Sequence, residues 1–319
     1  MRAMVVSEYG KALTPVVLPV PAAGRDELLV RVHSCGINFA DLLLQSGRYQ
    51  ERPELPFSLG MEICGTVEEA GENSGSDLVG SRVAAYCGFG GMAEYIAIPS
   101  DACIPVPERM PSHIAAAFPI VYGTSHVALS HGARLQSGER LLVLGAAGGV
   151  GTSSVELGKV MGAEVIGSAR GHERLEHVRK AGADHVLESD STDLRDAVKA
   201  LGGADVVIDP IGGDSTIAAL RACNPGGRLV PIGFACGEIP QIPANILLVK
   251  NLSVIGVYWG AQARLWPSRI SESLGTLLDW YDNGQIKPCV SHRFSLESAN
   301  EALDLVRSRR SVGKVVIDF

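Results

Sequence analysis

The stretch Leu141-Leu142-Val143-Leu144-Gly145-Ala146-Ala147-Gly148-Gly149-Val150-Gly151 decides how this chain folds. Four consecutive apolar residues describe a strand covered on both faces, as in parallel sheets. Between that strand and Val150 the chain carries nothing larger than alanine, and residues 149–161 then read as a helix. Small residues are required where a strand turns sharply into a helix, where a phosphate must come close to backbone N–H groups, and where the helix packs tightly against the strand. A helix N-terminus also offers unpaired N–H groups and a positive dipole end to an anion. The pattern is the dinucleotide-binding fingerprint, with Ala146 in the first glycine position, then Gly148 and Gly151. Gly149 and Val150 complete the bend.

Beyond this stretch, strands are expected at 165–168, 185–187, 205–209, 228–232 and 252–257, and helices at 173–181, 192–201 and 215–223. Six strands with interleaved helices make a doubly wound parallel sheet. Before it, from residue 1 to about 111, short β-like runs (28–33, 62–69, 82–86 and 93–98) are broken by Gly and Pro, which suggests a barrel or sandwich. After it come two expected helices, 270–283 and 299–308, and a last strand, 314–319. This tail is too small to stand alone, so it is expected to fold back onto the first region with the parallel sheet as an insert. The domain reading is 1–118, 119–260 and 261–319.

The second strand indicates which dinucleotide fits. A site for NAD usually places Asp or Glu there, about 20 residues after the glycines, to grip the ribose hydroxyls. Here the stretch is Gly167-Ser168-Ala169-Arg170, with Arg174 one helical turn on. No acid is present, and two guanidinium groups suit a 2′-phosphate in shape and charge. The expected cofactor is NADPH, with Ser168, Arg170 and Arg174 at its ribose phosphate. Gly233 and Phe234 follow strand 228–232 at the carboxyl edge, where open α/β sheets bind ligands. Tyr258 and Trp259 follow the last strand and are read as lining the cleft, with core or interface packing as the alternative.

Composition narrows the partners. The chain has 319 residues, 46% hydrophobic and 20% charged, with a net charge of −7. An acidic globular chain repels nucleic acid and anionic membrane. No apolar run is long enough to span a bilayer, and the first residues lack the apolar core of a signal peptide, so the expected location is the cytosol. The seven cysteines are scattered, odd in number and never spaced C-x-x-C. They read as reduced, buried thiols and not as a disulfide framework or a zinc knuckle.

Several motifs together resemble the medium-chain dehydrogenase/reductase superfamily, and within it the zinc-free quinone oxidoreductase (zeta-crystallin-like) branch. They are Gly36-Ile37-Asn38-Phe39-Ala40-Asp41, Ser46-Gly47-Arg48-Tyr49, Leu59-Gly60-Met61-Glu62, Cys64-Gly65-Thr66-Val67, Tyr122-Gly123-Thr124, Asp209-Pro210-Ile211-Gly212-Gly213, Lys250-Asn251 and Val257-Tyr258-Trp259-Gly260. The likeness runs over nearly the whole chain. It implies a Rossmann-type sheet inserted into a GroES-like, mostly-β catalytic domain.

The resemblance also implies chemistry. Zinc alcohol dehydrogenases of the superfamily carry Cys and His where this chain has Asn38 and Met61. Zinc needs about four N, S or O ligands in tetrahedral reach, and the eight histidines form no such motif, so no metal is expected. The implied reaction is NADPH-dependent reduction of a quinone, with an enone or enoyl-thioester as the alternative. Asn38 and Tyr49 are the implied catalytic residues; Thr124 and Lys314 are implied to approach the cofactor. Asp41 reads as a helix-start residue and Glu62 as the structural partner of a basic residue. The chain departs from several relatives at Leu42-Leu43-Leu44-Gln45, where they carry a tyrosine or arginine, and at His126, where they carry a tyrosine. Relatives are often homodimers joined through the last strand of the cofactor domain, here 252–257. A non-catalytic or RNA-binding role, known among zeta-crystallin relatives, is the reading of a different class, and the −7 charge argues against RNA.

Overall fold

The computed structural model describes residues 1–189 and 194–319. The chain divides into two units, Met1–Ile120 with Pro288–Phe319, and Val121–Lys287.

The second unit is built on six strands in the order His185–Glu188, Glu164–Ala169, Arg140–Val143, Ala204–Asp209, Cys223–Pro231, Ser253–Val254. Every neighbouring pair is parallel. Chain order runs outward from Arg140–Val143 on one side and then resumes at Ala204–Asp209 on the other. The carboxyl end of Arg140–Val143 therefore lies at the point where strand order reverses, the position at which open α/β sheets bind ligands. Leu141, Leu142 and Val143 are closed to solvent, as a strand covered on both faces requires. Helices Gly149–Val160, His172–Lys180, Leu194–Ala200 and Gly213–Ala222 alternate with the strands. The first residues of the helix expected at 192–201 lie outside the described residues.

Two expectations need correction here. The last strand is not 252–257 but Ser253–Val254. It is an edge strand with one neighbour. After Ile255 donates once more to Leu229 O, Gly256 weakens any continuation, having no side chain to pack. Tyr258 thus precedes, and Trp259 begins, helix Trp259–Leu265. The boundary expected at 260/261 falls at Lys287/Pro288. Helix Pro267–Asp282 belongs to the parallel-sheet unit because it buries Ile270, Leu274 and Leu277 there. It also places Ser273 Oγ 2.7 Å from His126 Nδ1 and Trp280 edge-on to the same imidazole.

The first unit is mostly β. Its spine is the eleven-residue strand Glu27–Ile37, which pairs antiparallel with Glu62–Ala70, Tyr95–Pro99 and Lys314–Asp318. Leu28, Val30 and Cys35 on that spine are fully buried, each large apolar side chain contributing about 1.5–3 kcal/mol. A smaller sheet joins Thr14–Val17, Arg2–Val6 and Phe57–Ser58. The C-terminal tail does return to this unit, through Lys314–Asp318 and a strand absent from the sequence reading, Val290–Ser295, which pairs parallel with it. That strand, Val-Ser-His-Arg-Phe-Ser, alternates half-buried and exposed residues and is too polar to stand out by hydropathy.

Candidate functional site

The glycine-rich bend is explained by what each missing side chain would strike. A Cβ on Gly151 would stand 2.2 Å from Gly145 O and 2.6 Å from Ala146 Cα, so only glycine lets the helix sit this close to the strand. Gly148 differs. Its φ of −80° and ψ of 174° suit any residue, and an added Cβ would meet only Gly145 O, at 3.5 Å. Nothing within the protein requires glycine at 148. The space over it is what the close approach of a ligand would use. Helix Gly149–Val160 begins there, with Thr152 N–H donating back to Gly148 O at 2.8 Å. The N–H groups of Gly149, Val150 and Gly151 precede that ladder and remain for an anion. Ala146 is buried, and its N–H bonds Ser168 O at 2.9 Å, which ties the bend to the second strand.

Ser168 and Arg170 stand at the carboxyl end of that second strand, Glu164–Ala169, with Ser168 buried and Arg170 exposed. Arg174 lies in the first turn of His172–Lys180, its guanidinium 3.4 Å from Arg170 O. The structure thus brings the two arginines together at the strand end neighbouring the bend. A carboxylate does stand nearby, but it comes from the third strand: Glu188 accepts the Gly171 N–H at 2.8 Å. Together these residues fit a phosphate-bearing dinucleotide: an open cradle, a helix N-terminus, and two cations one strand away.

The rest of this edge is organised by polar clamps. Asp209, buried at the end of Ala204–Asp209, accepts the N–H groups of Ile211 (2.8 Å) and Gly212 (3.0 Å) and the Thr216 hydroxyl. It shapes the loop whose backbone meets Gly233, since Gly233 N–H bonds Asp209 O at 3.4 Å. Phe234 follows, partly exposed. Thr124 is buried in helix Pro119–Val127. That helix is bound to the glycine-turn helix by a hydroxyl cluster: Ser125 Oγ lies 2.7 Å from Ser153 Oγ and 2.9 Å from Ser154 Oγ. Trp259 packs against the adjoining Gly123, where a Cβ would stand 2.6 Å from its indole nitrogen. Trp259 is buried in this contact. His126, the departure noted beside Thr124, is a buried core histidine pushed down to about 4 by desolvation.

In the first unit, strand Glu27–Ile37 delivers Asn38 to the start of helix Phe39–Gln45. Asn38 N–H donates to Asp41 Oδ2 at 2.8 Å. Burial pushes the Asp41 carboxyl up to about 7, against the opposing pull of the Asn38 N–H and the Lys314 charge. The Asn38 side chain is gripped at both ends. Its Nδ2 donates to Glu62 Oε1 at 2.8 Å, and its Oδ1 accepts from Lys314 Nζ at 2.9 Å. Lys314 Nζ also donates to Glu62 Oε1 at 2.6 Å and to Ile37 O at 2.8 Å. The basic partner expected for Glu62 is therefore Lys314. Lys314 is buried, and an ammonium has three donors, which these acceptors engage. Sequence reading names Glu62 and Lys314 separately but misses that both converge on Asn38, because 252 residues separate them. Tyr49 is half-buried against the core of the same unit.

Among the described residues, no group of three or more His, Cys, Asp and Glu side chains gathers in a way that could hold a metal ion, and no helix is long and apolar enough to cross a membrane.

The architecture, a parallel sheet with a glycine-rich bend inserted into a mostly-β unit, is that of a GroES-like domain joined to a dehydrogenase nucleotide domain. Residues 24–108 match the alcohol dehydrogenase GroES-like domain, and residues 149–278 match the family described as zinc-binding dehydrogenase. Quinone oxidoreductase-like protein 2 homolog of Nematostella vectensis is 44% identical over 99% of this chain and 88% of its own length. Mouse quinone oxidoreductase is 31% identical over 99% of this chain and 97% of its own. The solved quinone oxidoreductase of Thermus thermophilus, studied also as its complex with NADPH, superposes with a TM-score of 0.89 at 34% identity, covering all of both chains. The chain belongs to the medium-chain dehydrogenase/reductase superfamily, in its zinc-free quinone oxidoreductase family.

Proposed function

We propose that the protein is an NADPH-dependent oxidoreductase that reduces quinones by hydride or electron transfer, without a metal. The observation that carries this is the open cradle at Gly148 beside Arg170 and Arg174. The Escherichia coli quinone oxidoreductase, solved in complex with NADPH, has the same fold at a TM-score of 0.91 and 25% identity, which supports the reading.

NADPH supplies the reducing hydrogen; the chain binds, orients and protonates. The N–H groups of Gly149, Val150 and Gly151 hold the pyrophosphate, Ala146 and Gly148 leave it room, and Arg170 and Arg174 take the 2′-phosphate beside Ser168. Thr124, Gly233, Phe234 and Tyr258 shape the remainder of the nucleotide site. Asn38 donates to the substrate oxygen that gains charge, and the Tyr49 hydroxyl delivers a proton to it. The protein works in the cytoplasm as a homodimer. The exposed Leu248 and Val249, on the helix before edge strand Ser253–Val254, suit an apolar contact with a second copy.

The test is NADPH oxidation with p-benzoquinone, phenanthrenequinone and crotonyl-CoA. Turnover with the quinones is expected. Turnover with crotonyl-CoA alone would transfer the assignment to an enoyl-thioester reductase, and no turnover combined with tight AU-rich RNA binding would end the enzyme reading.

A further inference from the structure

We infer that Lys314 and Glu62 are positioning residues that lock the Asn38 carboxamide in one orientation, so that it meets the substrate as an N–H donor to a carbonyl oxygen. This rests on the reading that Asn38 touches the reacting substrate.

A carboxamide has two donors on nitrogen and two lone pairs on oxygen. Lys314 occupies one lone pair of Oδ1, and Glu62 accepts one hydrogen of Nδ2. Both partners are buried and charged. Turning the amide over would set its NH2 against an ammonium and its carbonyl against a carboxylate. The two orientations of an asparagine are ordinarily close in energy; here the flanking charges make them unequal, so the amide assignment follows from the network. Glu62 is itself fixed, because its other oxygen accepts Ile120 N–H at 2.8 Å. The room for it comes from the first glycine of the Asn38 motif: a Cβ on Gly36 would stand 2.6 Å from Glu62 Oε1.

One N–H remains on Asn38, since the other side of Oδ1 faces the Asp41 N–H in the capping box that opens helix Phe39–Gln45. The ammonium beside Oδ1 draws electron density through the amide and repels any further donor there, while strengthening the remaining N–H. A quinone or enone has only acceptor oxygens, so it is matched to that N–H, whereas a ligand hydroxyl donating to Oδ1 is not. The clamp therefore presents a fixed N–H donor to the carbonyl oxygen of the substrate.

The decisive variant is Lys314→Met with Glu62→Met, which removes both charges together and leaves neither one buried alone. Expected first is a change in the Asn38 side-chain NH2 signals of protein labelled with 15N-asparagine and free of nucleotide. The wild type should show one well-dispersed pair exchanging slowly with water, and the double variant a collapsed or fast-exchanging pair. Expected second is a fall in kcat of about 10²-fold for quinone reduction, with the NADPH dissociation constant within about twofold of wild type and the melting temperature maintained. In an Asn38→Ala background the double variant should change kcat no further, the mark of residues acting through a third. Unchanged Asn38 amide signals, or an equal additional loss in the Asn38→Ala background, would overturn the clamp. Wild-type turnover in Asn38→Ala, with the amide signals still responding to the double variant, would sink the catalytic reading of Asn38 instead.

Discussion

The indole nitrogen of Trp259 lies so close to Gly123 that a methyl group on that glycine would stand 2.6 Å from it. Alanine in place of a helix-interior glycine ordinarily gains about 0.5–1 kcal/mol. Overpacking against a buried ring costs about 1–3 kcal/mol, so the second effect wins. Gly123→Ala should lower the melting temperature. Trp259→Leu, although destabilising alone, should abolish that added loss. Equal losses from Gly123→Ala in both backgrounds would show that the contact is not what the glycine serves.

Two glycines of the nucleotide bend should behave oppositely. Gly148→Ala should leave stability unchanged or raise it by about 0.4–1 kcal/mol, because its backbone angles are ordinary and the space beside it is open. NADPH binding, read by fluorescence titration, should weaken at least tenfold, on the order of 1.4 kcal/mol. Gly151→Ala should unfold more readily, since its methyl group would strike Gly145 O.

Arg170→Ala and Arg174→Ala should each weaken NADPH binding by about 1.5–3 kcal/mol, the range for hydrogen bonds to charged groups, and leave NADH binding nearly unchanged. The comparison of the two nucleotides is the informative measurement, because only one carries the 2′-phosphate. An equal effect on both would place the arginines elsewhere.

Asp41 makes stability fall with rising pH. Its carboxyl titrates at about 7 when folded, against 3.8 as reference, because it is buried. Between those values the folded chain holds a proton that the unfolded chain has released, so folding loses free energy as pH rises through the window. The ceiling is about 4 kcal/mol for a shift from 3.8 to about 7. Asp41→Asn keeps an acceptor for the Asn38 N–H. It should match wild type below pH 4 and exceed it increasingly up to pH 7, as followed by urea unfolding.

His126 works in the other direction. Burial holds its imidazole down to about 4, below the reference of 6.5, so the unfolded chain binds the extra proton and stability is lost as pH falls from 6.5 towards 4. His126→Asn should flatten that acid limb of the urea-unfolding profile. A limb as steep as in wild type would assign it to another group.

The legible parts of the chain are those with a local cause. Arg82–Tyr86 and Gly149–Val160 announce themselves by an apolar run or by small residues at a bend, and the structure has them within a residue of their expected bounds. Val290–Ser295 escapes a reading by hydropathy because an edge strand need not be apolar. Strand Ser253–Val254 reads as longer than it is because Leu252 and Val257 are apolar for other reasons: both are buried, and Val257 lies where a Cβ on Gly132 would meet its side chain. The unit to which helix Pro267–Asp282 belongs is hidden because its anchor, His126, is distant in sequence and carries no motif. In the site, the glycine bend and the arginines are readable as strings of residues. The grip on Asn38 is not, since it depends on which buried charges long-range strand pairing brings together.

The pairing of Glu62 with Lys314 across 252 residues sets an order on biosynthesis. Glu62 leaves the ribosome long before its cationic partner exists, and the whole parallel-sheet unit is translated in between. The N-terminal half of the first unit is expected to wait, its Glu62 carboxylate still without the Lys314 ammonium, while the inserted unit is expected to fold first. A nascent chain halted before residue 314 should therefore protect the inserted unit from protease and leave Asn38 and its surroundings open to digestion.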